Sequence, residues 1–434
     1  MDRKSTSTGP LLWRFHPDRD GLLAEAHARP STAARAPLLA ARIATISGEG
    51  GATTDRSHMA ALCKMIGAPE PESGARWCML DAGDWSLRWE RHTEISTWTA
   101  LRPSPGRQIA NFSTTALDLA PQDWLAELPG EVLAATHIAL VRSAPKAMVF
   151  AGEDIIASEV AGGAIQAFTD FRPGPDGFTR FVVIQKEDDP VLAGRILQQL
   201  FEIETYRLLA MLAFPQATAA AEPIATLEIE AAVAAEHVAD EGGVEADRML
   251  LARLAALAGR AEALAGGTSF RFAAARAYHG IVRERIGQFN ERPIGARPTI
   301  GEFMERRLAP AMRTCEAVAE RQREVIARIA RTTQMLTTRV EVAAESINLG
   351  LLKSMDRRAR QQLRIQQTVE GLSAAAISYY ALGLLKFLME AVAKIVHGVD
   401  PTLTTGLSAP VVVFFVWGFL QRIRRRIIRD HGPE

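Results

Sequence analysis

Two apolar runs near the C-terminus constrain this 434-residue chain more than any other feature. GLSAAAISYYALGLLKFLM (371–389) and TLTTGLSAPVVVFFVWGFL (402–420) are each about 19 residues long. At about 1.5 Å per residue, a helix of that length reaches across roughly 30 Å of hydrocarbon. MDRRARQQLR precedes the first run and QRIRRRIIR follows the second, while the loop between them carries little positive charge. The positive-inside rule then puts both outer flanks in the cytoplasm and the short loop outside. Lys386 lies late enough in the first run to snorkel to the far interface, and Glu390 and Lys394 continue its face at i+4 spacing. A buried helical hairpin of a soluble protein is the competing reading. The matched lengths and the arginines on both outer sides favour a transmembrane hairpin at 371–421, followed by a basic tail at 422–434. Arg422, Arg424, Arg425, Arg426 and Arg429 of that tail are expected to meet anionic lipid headgroups. Nucleic acid is not expected as a partner, because Lys+Arg and Asp+Glu both total 50 and the whole molecule has no net field.

The preceding residues read as a cytoplasmic α+β assembly. The first twenty residues hold no apolar run of signal-peptide length, and Cys63, Cys78 and Cys315 are scattered and form no C-x-x-C. That pattern fits a reducing compartment and argues against a disulfide frame. A mixed α/β head is expected over 1–215, opening with a short helix in 1–30 in which Pro17 suits the first turn and Pro30 ends it. Helical patterns occupy 38–66 and 190–213, and strand signals dominate 77–185. SLRWERHTEISTWTA, THIALV and DIIASEV read as strands, and AIQAFTDF and FTRFVVIQ flank the turn RPGPDG as a hairpin.

From 216 to 298 the chain is expected to be helical, with Leu250, Leu254, Leu257, Ala261 and Leu264 on one face and Gly266-Gly267 as a stop. RPIGARP breaks the pattern, and Thr299 with Glu302 forms a capping box for a long stalk helix over 299–370. Leu308, Met312, Cys315, Ala319, Gln322, Ile326, Ile329, Thr333, Leu336, Val340, Ala343 and Ile347 recur at alternating spacings of four and three, a coiled-coil seam. Pro310 kinks or restarts this helix near its beginning. About 60 residues, roughly 90 Å if helical, then lead to the membrane without a breaker. The seam pairs either between chains, giving a homo-oligomer, or with the helices at 224–290 folded back along it; self-association is the preferred expectation.

No Walker A, Rossmann, H-E-x-x-H or G-x-S-x-G motif occurs, and no catalytic residue is assigned. ISGEGGATT (46–54) lacks the P-loop Lys-Ser/Thr and reads as a loop. One polar cluster stands out. His16, Arg19, Glu25, His27 and Arg29 crowd the N-terminus, and Arg91, His92 and Glu94 crowd WERHTEI. Imidazoles and carboxylates of this kind suit a divalent metal. The alternative, preferred here, is a hydrogen-bonded latch docking the first helix onto the sheet. Glu204 and Arg207, with Glu202 nearby in an apolar helix, are expected to form a structural i,i+3 ion pair. Arg276, His279 and Arg283 share a stripe read as solvated.

Taken in order, HPDRDGLLAEAHARP, WERHTEIST, TDFRPGPDGFTR, EIETYRLLA, PTIGEFMERRLAPAMRTCEA and RRARQQLRIQQTVEGLSAAAISYY resemble domain-of-unknown-function family 3422. This is an uncharacterised bacterial family of predicted membrane-anchored proteins. The resemblance implies a two-pass protein of the bacterial inner membrane with both termini cytoplasmic, and it implies no activity. The layout is also similar to that of CorA-type magnesium channels, although HGVDPTL (397–403) stands where their Gly-Met-Asn loop would be. Three functions follow as expectations. The first is a membrane-anchored, cytoplasmic-facing scaffold or sensor, oligomeric through its stalk. The second is a CorA-like cation channel, with Ser373, Ser378 and Gly383 facing a pore. The third is a metal-dependent enzyme built on the polar cluster.

Overall fold

The computed structural model describes residues 15–19, 22–23, 32–104, 109–145, 150, 154–239, 243–394 and 400–430. Its centre is a nine-stranded sheet in the order β2-β3-β4-β1-β5-β8-β7-β6-β9. The strands are β1 (Leu38–Ile46), β2 (Trp77–Asp81), β3 (Ser86–Arg91), β4 (Ile95–Pro103), β5 (Glu131–Val141), β6 (Ile156–Val160), β7 (Ile165–Pro173), β8 (Thr179–Gln185) and the two-residue β9 (Arg292–Pro293). Every pairing is antiparallel except β5 with β8. The strands expected from the 77–185 signals are all present, and RPGPDG does join β7 to β8.

The segment 38–66 departs from expectation. It is not one helical stretch but the interior strand β1 followed by helix α1 (Ala52–Ile66). LLAARIATI is buried along nearly its whole length, so both faces are largely apolar and the alternation that marks a half-exposed strand is absent. Leu38 and Ala40 enter one core, while Leu39, Ala41 and Ile43 enter the other. That second face is closed by α1 and the short α2 (Gln122–Ala126), over a cluster in which the Trp89, Trp98, Trp124 and His58 rings interlock.

The first face is covered by helices: α3 (Pro190–Met211), α4 (Ala213–Ala239), α5 (Val244–Phe289) and the first part of α6 (Ile300–Ala393). Asp189 caps α3 by accepting from the Val191 and Leu192 amides at 3.0 Å, with Pro190 at the first helical position. Gly194 of α3 lies against the Thr32 carbonyl so closely that a Cβ would overlap it. The helix α5 runs straight through Gly266-Gly267, which do not stop it. Packing outweighs the poor helix propensity of glycine here, because Thr268 is buried against Gln322 at 3.2 Å and Phe272 lies in the core one turn on.

The capping box at α6 forms as expected, with the Thr299 amide 3.0 Å from Glu302 Oε2 and the Glu302 amide 3.2 Å from Thr299 Oγ1. Glu291 and Ser158 extend it. The Gly301 amide donates to Glu291 Oε1 at 2.8 Å, the Ile300 amide to Ser158 Oγ at 2.9 Å, and Ser158 Oγ to Glu291 Oε2 at 2.7 Å. The orphan donors of the helix start are thus tied to strand β6, which β9 also joins. Pro310 lies inside α6 and does not restart it, and no break separates the stalk from the apolar run at 371–389.

The seam on α6 resolves in favour of the fold-back arrangement over its first half. Leu308, Met312, Cys315 and Ala319 join the core with Ala217, Ala220 and Ile224 of α4 and Phe272, Ala275 and Val282 of α5. Arg321 pairs with Glu228 at 2.6 Å in the same layer. Beyond Leu336 the seam loses cover, and Ile347 is 54% exposed.

The chain divides into two compact units, residues 1–241 with 249–333, and residues 242–248 with 334–434. The second unit holds the Asp247–Arg339 ion pair, the remainder of α6, and α7 (Pro401–Asp430). Among the described residues, three helical stretches, 190–238, 300–392 and 402–423, are long and apolar enough to cross a membrane, one more than expected. The first has a structural reason for its apolarity: α3 and α4 line the core, and 33% of its most apolar window is buried, against 6% and 0% for the other two.

Candidate functional site

The β3–β4 turn carries three of the residues singled out in the sequence, and sends them in different directions. Arg91 is buried beneath the start of α1, where its Nη1 lies 3.1 Å from Asp55 Oδ2. Ser47 and Ser96 donate to the same oxygen at 2.7 and 2.6 Å, and the Trp89 indole donates to Ser96 Oγ at 3.1 Å. Arg91 Nη2 donates to the carbonyls of Gly48 and Thr93. The glycine-rich ISGEGGATT therefore wraps an arginine and leads into a helix whose first turn holds the balancing carboxylate. Asp55 gains in addition from the positive end of α1.

Glu94 faces the helical layer. Arg271 of α5 grips both its oxygens at 3.1 and 2.9 Å, and the Tyr278 hydroxyl donates to Oε1 at 2.7 Å. Burial, and then the hydrogen bond to Glu94, push the Tyr278 phenol well above its ordinary range, so it stays a donor. Tyr206 stacks on Tyr278 at 5.5 Å, and His92 meets Tyr206 edge-on at 6.5 Å, its Nε2 lying 3.4 Å from Thr97 Oγ1. Arg91 and Glu94 thus form two separate structural locks.

Of the N-terminal group, His16 is exposed and lies 3.7 Å from Asp18, and Arg19 sits over the Phe15 ring at 4.3 Å. Glu25, His27 and Arg29 lie outside the described residues. Among the described residues no group of three or more His, Cys, Asp or Glu side chains comes together to hold a metal ion. Glu204 and Arg207 form the expected pair, bidentate at 2.6 Å, with Thr179 Oγ1 donating to the same carboxylate at 2.8 Å. Arg422 is exposed on α7, and Arg424, Arg425, Arg426 and Arg429 continue that helix.

Three arrangements were not visible in the sequence. On the helical face, Arg42 and Arg88 share one acceptor, Gln198 Oε1, with Arg42 at 2.7 Å, and both flank Glu90. Gln198 in turn donates to Glu202 at 2.7 Å, and Glu202 pairs with Arg285. Burial lowers the Arg42 guanidinium to about 10, the nearby Glu90 opposing the shift. Beside this network lies a cavity of about 20 Å³, lined by Ser86, Arg88, Thr99 and Gln198, with room for one water. Second, His137 of β5 lies between Phe178 and Phe112 with Asp176 3.9 Å away. Third, Cys63 of α1 and Cys78 of β2, fifteen positions apart in the chain, lie near enough to influence each other, and burial pushes Cys78 up to about 12. These contacts join distant segments through strand register, as Arg42 opposite Thr99 and His137 opposite Arg180 illustrate.

The molecule thus belongs to a class that joins a doubly covered mixed sheet to long apolar C-terminal helices, with its buried charges spent on holding the layers together. Residues 14–427 match the family described as "Protein of unknown function (DUF3422)", and the chain belongs to that family. No curated protein and no solved structure matches it.

Proposed function

We propose that this is a bilayer-anchored scaffold or sensor whose α/β head operates at the cytoplasmic face of the inner membrane. One observation carries the reading. Large apolar side chains on the last part of α6 and on α7 stand largely exposed: Tyr379 and Leu407 are each 76% exposed, and Phe387 and Phe415 73%. Each such side chain in water forgoes about 2 kcal/mol of burial free energy, and a bilayer supplies that burial. Arginines bound both outer ends of the pair of helices, which favours two crossings with both termini inside. The head contributes binding surface and not chemistry in this reading, since Arg91, Glu94, Glu204 and Arg207 are each engaged in a structural pair. The uncovered part of α6, where Val342, Leu352 and Met355 are 62–65% exposed, is where copies of the chain associate.

Alkaline carbonate extraction of cell membranes tests the anchor. The full chain is expected in the pellet, and a chain lacking 371–434 in the supernatant. Full-length protein released by carbonate would overturn the reading.

A further inference from the structure

The second unit contains a groove of about 820 Å³ between residues 362–374 of α6 and 417–423 of α7. That volume lies within the range of small-molecule sites. Its lining mixes amides and apolar side chains: Gln362, Gln366, Gln367 and Gln421 are interspersed with Leu363, Ile365 and Leu420, Ala374 and Trp417 continue the apolar part, and Glu370 is the one carboxylate among them. The glutamines lie within the basic flanks of both helices. Between them, residues 353–370 and 421–430 carry ten Lys and Arg against three Asp and Glu. Arg364 lies between the lining residues Leu363 and Ile365, Arg422 follows Gln421, and both arginines are exposed.

We propose that this groove is a binding site for one phospholipid with an anionic headgroup. The amides and neighbouring arginines receive the phosphate and glycerol oxygens, and an acyl chain lies along the Ala374–Trp417 floor. Charge complementarity favours this occupant, because an anionic headgroup offsets the excess of basic residues in the flanks beside the groove. The mixture of amide and apolar side chains also suits a molecule that has one charged and one greasy end. The inference rests on the bilayer-anchored reading above, and extends it from general headgroup attraction to a defined, saturable site.

Trp417 provides the test, because the other six tryptophans all precede residue 125. Full-length protein is reconstituted into phosphatidylcholine vesicles containing a small fraction of brominated phosphatidylglycerol or, in parallel, brominated phosphatidylcholine. The Trp417→Phe variant supplies the background. Quenching of Trp417 is expected to saturate, with the anionic lipid preferred about fivefold or more, the effect of one basic residue near a charged lipid surface. Filling the groove with Ser373→Leu and Ala374→Phe, all arginines kept, is expected to abolish that preference while quenching by random lipid contact remains. Equal quenching by both lipids in the unaltered protein would overturn the site and leave the anchor standing. A preference that survives in the filled variant would also overturn it, as diffuse attraction alone would then suffice. No quenching by either lipid would remove the anchor and the site together.

Discussion

His137 is flanked by the Phe178 ring at 3.8 Å and the Phe112 ring at 6.4 Å, and burial lowers its imidazole to about 4, with Asp176 opposing the shift. The folded protein therefore holds this histidine neutral, whereas the unfolded chain protonates it near 6.5. A group whose folded value is depressed contributes its full share of stability above the unfolded value, and loses it as pH falls. Between about pH 6.5 and pH 4 the protein is expected to lose about 3 kcal/mol on this account. Urea titrations across that range measure the slope, and His137→Phe is expected to flatten it; an unchanged slope would exclude His137 as its source. At Glu204 the charge is fully buried and its partner is Arg207. Arg207→Ala strands that carboxylate and is expected to cost about 3 kcal/mol in the same titrations, whereas Glu204→Leu with Arg207→Met recovers most of it. This pair was legible in the sequence because i,i+3 spacing on a helix is local. Neither the His137–Asp176 contact nor the Arg42–Gln198 one was, since both depend on which strand lies beside which.

Among the elements, those with a strong local signal emerged from sequence: the β7–β8 hairpin around RPGPDG, the capping box at Thr299, and the continuity of α6. Those shaped by burial did not. LLAARIATI offers helix-forming alanines and leucines and no alternation, yet it forms an interior strand of the sheet because both its faces are covered. The Gly266-Gly267 pair is a local stop signal that α5 overrides through tertiary contacts. The α6 seam has one spacing and two environments, which yields a contrast between single substitutions. Leu308→Ala, in the core, is expected to lower stability by about 3 kcal/mol without changing the oligomeric state. Ile347→Ala, on the uncovered stretch, is expected to leave the unfolding midpoint of the head nearly unchanged and to weaken self-association. Denaturant titration and light scattering in detergent read the two effects. A stability loss at Ile347 as large as at Leu308, with assembly intact, would mean that the chain itself covers that stretch.

At the scale of the whole molecule, the two long apolar C-terminal helices were the most legible part of the sequence, because their length and apolarity are properties of the residues themselves. The candidate site was the least legible. Arg91, His92 and Glu94 look like one cluster in WERHTEI, but a strand turn sends adjacent side chains to opposite faces, and Asp55, Arg271 and Tyr278 from distant helices complete them. The central claim is that the polypeptide passes twice through the membrane and keeps both ends inside. Paired fusions of a fluorescent protein and alkaline phosphatase, placed after Gly398 and after Glu434, test it most directly. The account predicts phosphatase activity and no fluorescence after Gly398, with fluorescence and no phosphatase activity after Glu434. Phosphatase activity at Glu434, or fluorescence at both positions, would contradict it.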